Sequence, residues 1–176
     1  MNPRVRDLAT MGGLLAAAFV LKLPALGLPN IEPFTLTYFF IGYRFGAFWG
    51  GAVGALGEFV YATFNPLGAS LPPVAAAQTI GMALAGIAGG VLARLNLFHI
   101  SSRGRRWGLA AAAVLITLLF DVLTNVAMFW TLGNLTAWLL AGIPFSALHI
   151  ISNCLLFVFV FPALQKIVPG RQTGPR

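Results

Sequence analysis

Titratable and amide side chains stand inside apolar stretches in the C-terminal half of the chain. The stretch PFSALHIISN, residues 144–153, carries His149 and Asn153 four positions apart, so both lie on one face of a helix. Asp121 stands in a second apolar stretch. These groups could exchange protons, ligate a metal or hydrogen-bond a bound molecule. Burial without a partner is costly, so either a neighbour or a ligand must compensate them.

The composition indicates what surrounds these groups. The 176 residues are 59% hydrophobic and 9% charged, and the mean hydropathy is +0.87. Soluble domains carry roughly 25% charged residues, so this chain has too few to cover a water-facing surface. The composition therefore predicts an all-α integral membrane protein. A single cysteine, Cys154, excludes an internal disulfide and a cysteine-rich metal site.

The apolar segments predict one compact domain, residues 1–176, made of six transmembrane helices. A spanning helix needs about 20 apolar residues. The predicted spans cover residues 8–26, 34–47, 49–64, 74–95, 107–131 and 137–165. The second and third are short, and the alternative is one overlong helix with Arg44 at mid-membrane. Because a charge at that depth is costly, two helices joined by a tight turn are expected.

The distribution of basic residues predicts that both termini lie inside the cell. Basic residues concentrate in cytoplasmic segments of membrane proteins. With an inner N-terminus, ten of the eleven basic residues become cytoplasmic and only Lys22 lies towards the outer side of the membrane. The ten are Arg4, Arg6, Arg44, Arg94, Arg103, Arg105, Arg106, Lys166, Arg171 and Arg176. His99 falls in the main inner loop, where an interfacial role is expected.

Polar residues at membrane depth are expected to surround a hole that opens to the exterior. Ionisable residues at that depth are candidate functional groups, and small-molecule sites combine apolar and aromatic walls with a few polar groups. At a rise of 1.5 Å per residue, Asn125 lies about 9 Å and His149 about 18 Å below the outer ends of their spans. The predicted wall residues are Glu58, Gln78, Asn125, Trp130 and Trp138. The predicted floor residues are Asp121, His149 and Asn153.

Structural roles compete with ligand binding for several of these residues. Asp121 and His149 could satisfy each other as a buried pair, and Asn153 could bond a neighbouring backbone. Trp130 and Trp138 border an outer interface, where tryptophan is enriched in any membrane protein. The sequence leaves these alternatives open.

Small residues recur at four-residue spacing on several helices, which lets helix backbones approach closely in lipid. In the third and fourth spans, the glycines are expected to pack helices within the bundle. In the first helix, Ala9, Gly13 and Ala17 form a comparable surface. This surface could pack inside the bundle or dock another membrane protein.

Three stretches together resemble the substrate-binding (S) components of energy-coupling factor (ECF) vitamin transporters, over nearly the whole chain. ATMGGLLAAAFVL is similar to the Ala-rich first helix of that family, with Gly13 in place of an alanine. LPNIEPFTLTYFFIGYRFGAFWGGAVGALGEFVYATFNPLG is similar to its first outer loop, second span, Gly-rich turn and third span. PFSALHIISNCLLF is similar to the last helix of one subgroup.

The resemblance implies a transporter subunit of a prokaryotic cytoplasmic membrane. Such a subunit binds a micronutrient in an outward cavity, catalyses no reaction and needs no cofactor. The implied substrate-binding residues are Asn30, Glu32, Gln78, Asn125, Trp130, His149 and Asn153. The implied partners are a transmembrane coupling subunit, docked on the first helix, and two ATPase subunits. No nucleic acid is expected as a partner.

The resemblance to that subgroup implies cobalamin or a related corrinoid as the ligand. The aromatic residues at the outer rim and the scarce charge would suit such a large, flat, near-neutral molecule. His149 could then approach the corrinoid cobalt, since neutral imidazole binds transition metals. Riboflavin, a queuosine precursor and other flat heterocycles stay open. Anionic vitamins are disfavoured because only Lys22 is near the site.

Three other functions are compatible with the composition. A membrane enzyme could use Glu58, Asp121 and His149 in acid–base or metal chemistry, although no recognised catalytic motif is present. A scaffold protein of the cell envelope would bind no small molecule. A solitary vitamin transporter would work without ATPase partners.

Overall fold

The computed structural model describes residues 3–28, 30–95 and 102–168, and these residues form helices without strands. The helices are α1 (Pro3–Lys22), α2 (Phe34–Phe45), α3 (Ala47–Phe64), α4 (Pro72–Arg94), α5 (Ser102–Leu132), α6 (Leu135–Leu155) and α7 (Phe161–Ile167). A short 3₁₀ turn (Leu23–Ala25) follows α1, and a π-helical turn (Leu156–Val160) joins α6 to α7. The predicted all-helical fold is confirmed. His99, Arg171 and Arg176 lie outside the described residues.

Three helical segments in the described part of the chain are long and apolar enough to cross a membrane. They are Pro72–Arg94, Arg103–Leu132 and Leu140–Ile167. The last runs from α6 through the π-helical turn into α7. These segments are typical of an integral membrane protein, and the count of six spans stays a prediction.

Helix boundaries differ from the predicted spans mainly where polar residues extend a helix beyond its apolar part. α1 begins at Pro3 and ends at Lys22, whereas the predicted span covered residues 8–26. α5 begins at Ser102, five residues before the predicted start, and includes a basic first turn and a half. Arginine is a good helix former, so a helix continues past the hydrophobic segment that hydropathy detects.

The chain breaks at Gly46, between α2 and α3. Gly46 has φ = 104° and ψ = 159°, a backbone conformation that residues with a Cβ atom rarely adopt. Its amide still donates to Gly42 O at the end of α2, and the amide of Gly50 returns to Gly46 O. The structure therefore has two helices here, and Arg44 lies in the last turn of α2.

α2 is a short helix enclosed by the rest of the bundle. Its residues from Phe34 to Gly42 are all buried. Its 12 residues extend about 18 Å, against about 30 Å for a bilayer core. Because α2 is this short, the segment that precedes it, residues 30–33 (loop 1), enters the bundle instead of staying at its outer rim. Asn30 of loop 1 contacts Phe145, which lies ten residues into α6.

α4 forms the centre of the packing and contacts α2, α3 and α5. Glycines bring the α3 and α4 backbones together: a Cβ atom added to Gly86 would overlap the backbone of Gly50, and one added to Gly54 would overlap that of Met82. Gly42 on α2 meets Gly86 in the same way. Such close approach maximises van der Waals contact between helices in lipid. The expectation that the glycines of these two helices pack within the bundle is confirmed.

An aromatic cluster holds α2 against the C-terminal helical segment. The ring centroids of Phe39 and Phe157 are 4.9 Å apart, and those of Tyr43 and Phe161 are 5.0 Å apart. Phe157 and Phe161 are fully buried. This cluster and the contacts between α5 and α6 pack the end of the bundle that lies opposite to loop 1. The candidate site lies at the other end.

Candidate functional site

A cavity of about 250 Å³ lies between α4, α5, α6 and loop 1. Its polar lining residues are Asn30, Gln78, Asp121, Thr124, Asn125 and Ser146. Its apolar lining residues are Phe120, Met128, Ala141, Gly142 and Phe145. The mixture of apolar walls with a few polar groups is typical of a small-molecule site. The structure thus brings together four residues of the predicted site, Asn30, Gln78, Asp121 and Asn125.

Helical periodicity explains how α5 and α6 supply most of this lining. On α5, Asp121, Asn125 and Met128 follow the three-and-four spacing that places side chains on one face. On α6, Gly142 faces Asn125, since a Cβ atom at position 142 would lie 3.2 Å from Asn125 Oδ1. The absence of a side chain at Gly142 therefore leaves room beside the Asn125 amide.

Phe120 and Ala141 are two of the seven lining residues that are not among the predicted site residues. Each lies one turn from a polar or aromatic residue of the lining: Phe120 precedes Thr124 by four positions, and Ala141 precedes Phe145 by four. The same periodicity that predicted the polar residues would have included them. Apolar residues on an apolar helix, however, give no signal of their own.

A row of three ionisable side chains adjoins the cavity. Asp121 Oδ1 lies 2.9 Å from His149 Nδ1, a hydrogen-bond distance. On the other side of the ring, His149 Nε2 lies 3.6 Å from Glu32 Oε1, which is too long for a direct hydrogen bond. Thr35 Oγ1 donates to the same Glu32 oxygen over 3.2 Å. The row connects α5 and α6 to loop 1, and Asp121 and His149 satisfy each other within it.

Polar contacts from α1 and α6 hold the half-buried loop 1 against the bundle. The Asn30 amide donates to Phe145 O over 2.8 Å, and Ser152 Oγ donates to Asn30 O over 3.0 Å. Lys22 Nζ donates to Ile31 O over 3.1 Å, and Glu32 faces His149. Non-helical backbone within a membrane protein needs such partners because lipid supplies none. Asn30 itself has φ = 58°, the left-handed conformation that asparagine tolerates.

Lys22 and Ser152 are further residues that sequence reasoning did not place in the site. Lys22 is buried, and its ammonium group holds the loop 1 backbone. Ser152 follows His149 by three positions on α6 and was within the quoted stretch 144–153. Neither residue lines the cavity. Both support the loop that does.

Asn153 lies one turn beyond His149 and is fully buried. Its Nδ2 donates to Thr117 Oγ1 on α5 over 2.9 Å, whereas its Oδ1 has no hydrogen-bond partner. Asn153 does not line the cavity. His149 is 2% exposed and does not line it either. The structure therefore places these two residues beneath the cavity, with Asp121 between His149 and the open space.

Three predicted site residues lie away from the cavity or outside the described side chains. Glu58 on α3 is buried, and its Oε2 has no hydrogen-bond partner, but it does not line the cavity. Trp130 is 80% exposed near the end of α5 and also lies off the cavity. Trp138 belongs to α6, and its side chain lies outside the described part of the structure.

The described residues contain no group of three or more His, Cys, Asp or Glu side chains arranged to hold a metal ion. His149 Nδ1 is already paired with Asp121, which leaves only Nε2 for any further ligand. The lining of the cavity offers hydrogen bonds and apolar contact to a bound molecule. Those interactions bind and orient a molecule.

The predicted docking surface on α1 is exposed. Ala9, Gly13 and Ala17 are all exposed, and a Cβ atom at Gly13 would meet nothing within 4 Å. α1 buries Met11 and Ala18 on its opposite face, against the bundle. The small residues are thus not used for packing inside the described part of the chain.

No curated protein and no solved structure matches the chain significantly. The family model described as "ECF transporter, substrate-specific component" matches residues 6–162. The match extends from the first turn of α1 into α7, so it includes loop 1, every lining residue of the cavity and the exposed face of α1. Taken with the three membrane-crossing segments and the cavity, the match identifies the chain as a member of the family of substrate-specific components of ECF transporters.

Proposed function

We propose that this chain captures a vitamin-like micronutrient from outside the cell in the cavity between α4, α5, α6 and loop 1. Members of its family bind small-molecule substrates and associate with the other subunits of ECF transporters; they are not enzymes. The observation that carries the proposal is the convergence of polar side chains from three helices and loop 1 on one cavity. A scaffold protein would have no need of such a cavity.

The proposed topology has six spans with both termini at the cytoplasmic face of a prokaryotic membrane. Arg44 Nε donates to Val168 O over 3.2 Å, which brings the end of α2 to the end of α7. Arg4 and Phe45 line a second cavity, so the start of α1 lies at the same end of the bundle. These contacts gather basic residues at one end, as the distribution of charge in membrane proteins requires.

The size of the cavity favours a flat heterocycle over a corrinoid. A volume of about 250 Å³ is below the roughly 300–1,000 Å³ that is typical for drug-sized ligands, and a corrinoid exceeds a drug-sized molecule. His149 adds to this argument because it lies beneath the cavity, with Asp121 between it and the open space. We therefore propose a bicyclic or smaller ring system as the substrate.

The proposal is tested by identifying what the protein carries. The chain is purified in mild detergent from cells grown in rich medium, and the extracted small molecules are identified by mass spectrometry. A single micronutrient recovered in near-equal molar amount supports the proposal. A preparation that holds no small molecule and takes up none from a vitamin mixture contradicts it, and turnover of a lipid or peptide would point to an enzyme.

Replacement of Asn125 by leucine is expected to lower the recovered micronutrient more than threefold. Leucine removes the amide and leaves the polar group of the ligand without a partner, a loss of about 1–3 kcal/mol. Mass spectrometry of matched preparations gives the measurement. Thr131→Val is the control, because Thr131 lies on the same helix, is exposed and bonds only the backbone of its own helix. Equal recovery from the Asn125 variant would place the site elsewhere.

Replacement of Ala17 by tryptophan is expected to abolish capture of the coupling and ATPase subunits while substrate binding persists. The indole would separate two helices that small residues allow to touch. Affinity capture from membranes of the native host measures the loss. Leu115→Trp on the exposed face of α5 is the control. If the native chain captures no ATPase subunit, the chain acts as a solitary transporter; if the Ala17 variant captures them normally, docking uses another face.

A further inference from the structure

His149 stands between two carboxylates that belong to different parts of the fold. Asp121 Oδ1 on α5 lies 2.9 Å from its Nδ1, and Glu32 Oε1 on loop 1 lies 3.6 Å from its Nε2. The residue is 2% exposed, and Nε2 has no hydrogen-bond partner among the described residues. Bulk water therefore cannot compensate the ring, and its protonation state decides how it interacts with each carboxylate.

Only the protonated ring attracts both carboxylates. A neutral imidazole carries one N–H group, so it donates to one of them at most. With that proton on Nδ1, the ring donates to Asp121 and directs the lone pair of Nε2 towards the Glu32 oxygen, which is unfavourable where no water intervenes. The imidazolium carries an N–H group on both nitrogens, so it donates to Asp121 and forms an ion pair with Glu32.

The contact of Glu32 with His149 differs from the other contacts of loop 1. The Asn30 amide and the Ser152 hydroxyl bond backbone carbonyl oxygens, and neither side chain titrates. Lys22 Nζ likewise bonds the carbonyl oxygen of Ile31. The attachment of Glu32 alone joins two titratable side chains, so it is the part of the attachment that gains or loses an ion pair when the imidazole changes its charge.

The other titratable groups lie nearer to Glu32 than to the ring. The electrostatic interactions of His149 come from Asp121 and Glu32. On its own helix, Cys154 contacts a carbonyl oxygen of α5, and α4 has no titratable residue before Arg94. Four groups interact electrostatically with Glu32 or with each other: Lys22 on α1, Tyr38 on α2, and Glu58 and Tyr61 on α3. The carboxyl group among these four must be separated from His149 in any test of pH dependence.

We infer that protonated His149 is a positioning residue of the substrate site, which holds loop 1 in the wall of the cavity through its ion pair with Glu32. Asn30 lines the cavity and precedes Glu32 by two residues, so this wall depends on the ion pair. Because the charged ring favours the attached loop, the attachment weakens as the pH rises through the titration of the imidazole. The inference deepens the proposed function, and its consequence for the substrate rests on that function.

The position of loop 1 is measured directly, without a ligand. Leu28 lies two residues before loop 1, and it is exposed like Leu115 on α5. Leu28→Cys and Leu115→Cys carry nitroxide labels in the full chain, in which Cys154→Ser removes the native cysteine. Pulsed double electron resonance in lipid nanodiscs gives the distribution of distances between the labels. The series runs from about pH 6 to about pH 9, where a typical imidazole loses its proton and a typical carboxylate stays charged.

The labelled chain is expected to show two populations, with loop 1 attached or displaced. The ratio of attached to displaced is expected to fall about fivefold or more across the series, because a charged contact is lost. Glu32→Gln keeps the size of the side chain and leaves the contact of Asp121 with His149 intact, and it is expected to abolish the pH dependence. His149→Gln does not titrate and is expected to do the same.

Two controls keep the pH dependence if the inference is right. Ser152→Ala removes another contact of loop 1, so it is expected to lower the attached population at every pH and to leave the fall in place. Glu58→Gln removes the other buried carboxyl group near Glu32 and is expected to leave the fall unchanged.

Three results would overturn the inference. The first is a distance distribution that does not change with pH in the labelled chain. The second is a fall that persists in Glu32→Gln, which would show that loop 1 responds to another group. The third is a fall that disappears in Glu58→Gln, which would assign the response to that carboxyl group and leave His149 only as the partner of Asp121.

The inference and the proposed function fail in different ways. If loop 1 responds as expected in a chain that carries no micronutrient, the ion pair positions the loop and the proposed function is wrong. If the chain carries a micronutrient and loop 1 does not respond to pH, the chain is still a substrate-binding component, and only the role inferred for His149 and Glu32 is wrong.

Discussion

Replacement of Gly86 by leucine is expected to lower the thermal unfolding midpoint of the purified protein by about 10 °C. A Cβ atom at Gly86 would overlap the α3 backbone at Gly50, so any side chain at position 86 must separate α4 from α3. Overpacking of a filled core costs about 1–3 kcal/mol or more, and 1 kcal/mol corresponds to about 2–4 °C in a protein of this size. Size-exclusion chromatography after stepwise heating measures the change.

Gly12→Leu is the matched control for this prediction. A Cβ atom at Gly12 on α1 would meet nothing within 4 Å, so the same substitution should leave the midpoint within about 2 °C, since surface substitutions usually change stability little. A Gly86 variant as stable as the Gly12 variant would mean that α3 and α4 do not pack as closely as the structure shows.

Replacement of His149 by leucine is expected to destabilise the protein by about 3–5 kcal/mol, because it leaves the Asp121 carboxylate buried and without its 2.9 Å partner. Asp121→Leu is expected to destabilise the protein as well, because it leaves the His149 imidazole buried and without its carboxylate partner. The double variant should lose less unfolding free energy than the two single variants lose together, since no unpaired charge then remains. Unfolding in a graded mixture of mild and denaturing detergents measures all four proteins.

The coupling free energy between His149→Leu and Asp121→Leu decides whether this prediction holds. A coupling of about 1 kcal/mol or more shows that the pair acts as a unit. Additive effects would mean that the two side chains do not interact in the folded protein. Ser152→Ala, on the same helix and in contact with loop 1 instead of Asp121, is expected to show no coupling with Asp121→Leu.

The features that could be predicted from the sequence are those that repeat along a helix. The spacing of Asp121 and Asn125 placed both on one face of α5, and the cost of a charge at depth identified the break beside Arg44. Both arguments use local geometry and the energetics of burial. They succeed because every helix must satisfy them, whatever surrounds it.

Features that depend on where a loop goes could not be predicted. Nothing local to Lys22 indicates that its ammonium group turns inwards to Ile31 O, and nothing local to Glu32 places it 3.6 Å from His149. Both follow from the shortness of α2, which admits loop 1 into the bundle. Glu58 was predicted as a site residue because of its depth in the membrane. Depth does not reveal which face of a helix meets the cavity, and Glu58 does not line it.

The charged ends of α1 have a consequence for the surrounding lipid. Between Asp7 and Lys22, α1 has residues 8–21, about 21 Å, whereas in α5 the stretch from Trp107 to Leu132, about 39 Å, has the buried Asp121 as its only charged residue. The apolar band that faces lipid is therefore shorter along the membrane normal beside α1 than beside α5. If α1 spans the membrane as proposed, we expect a bilayer core of about 30 Å to thin beside it, at a cost that grows with each ångström of mismatch. Any protein that covers that side releases the compressed lipid.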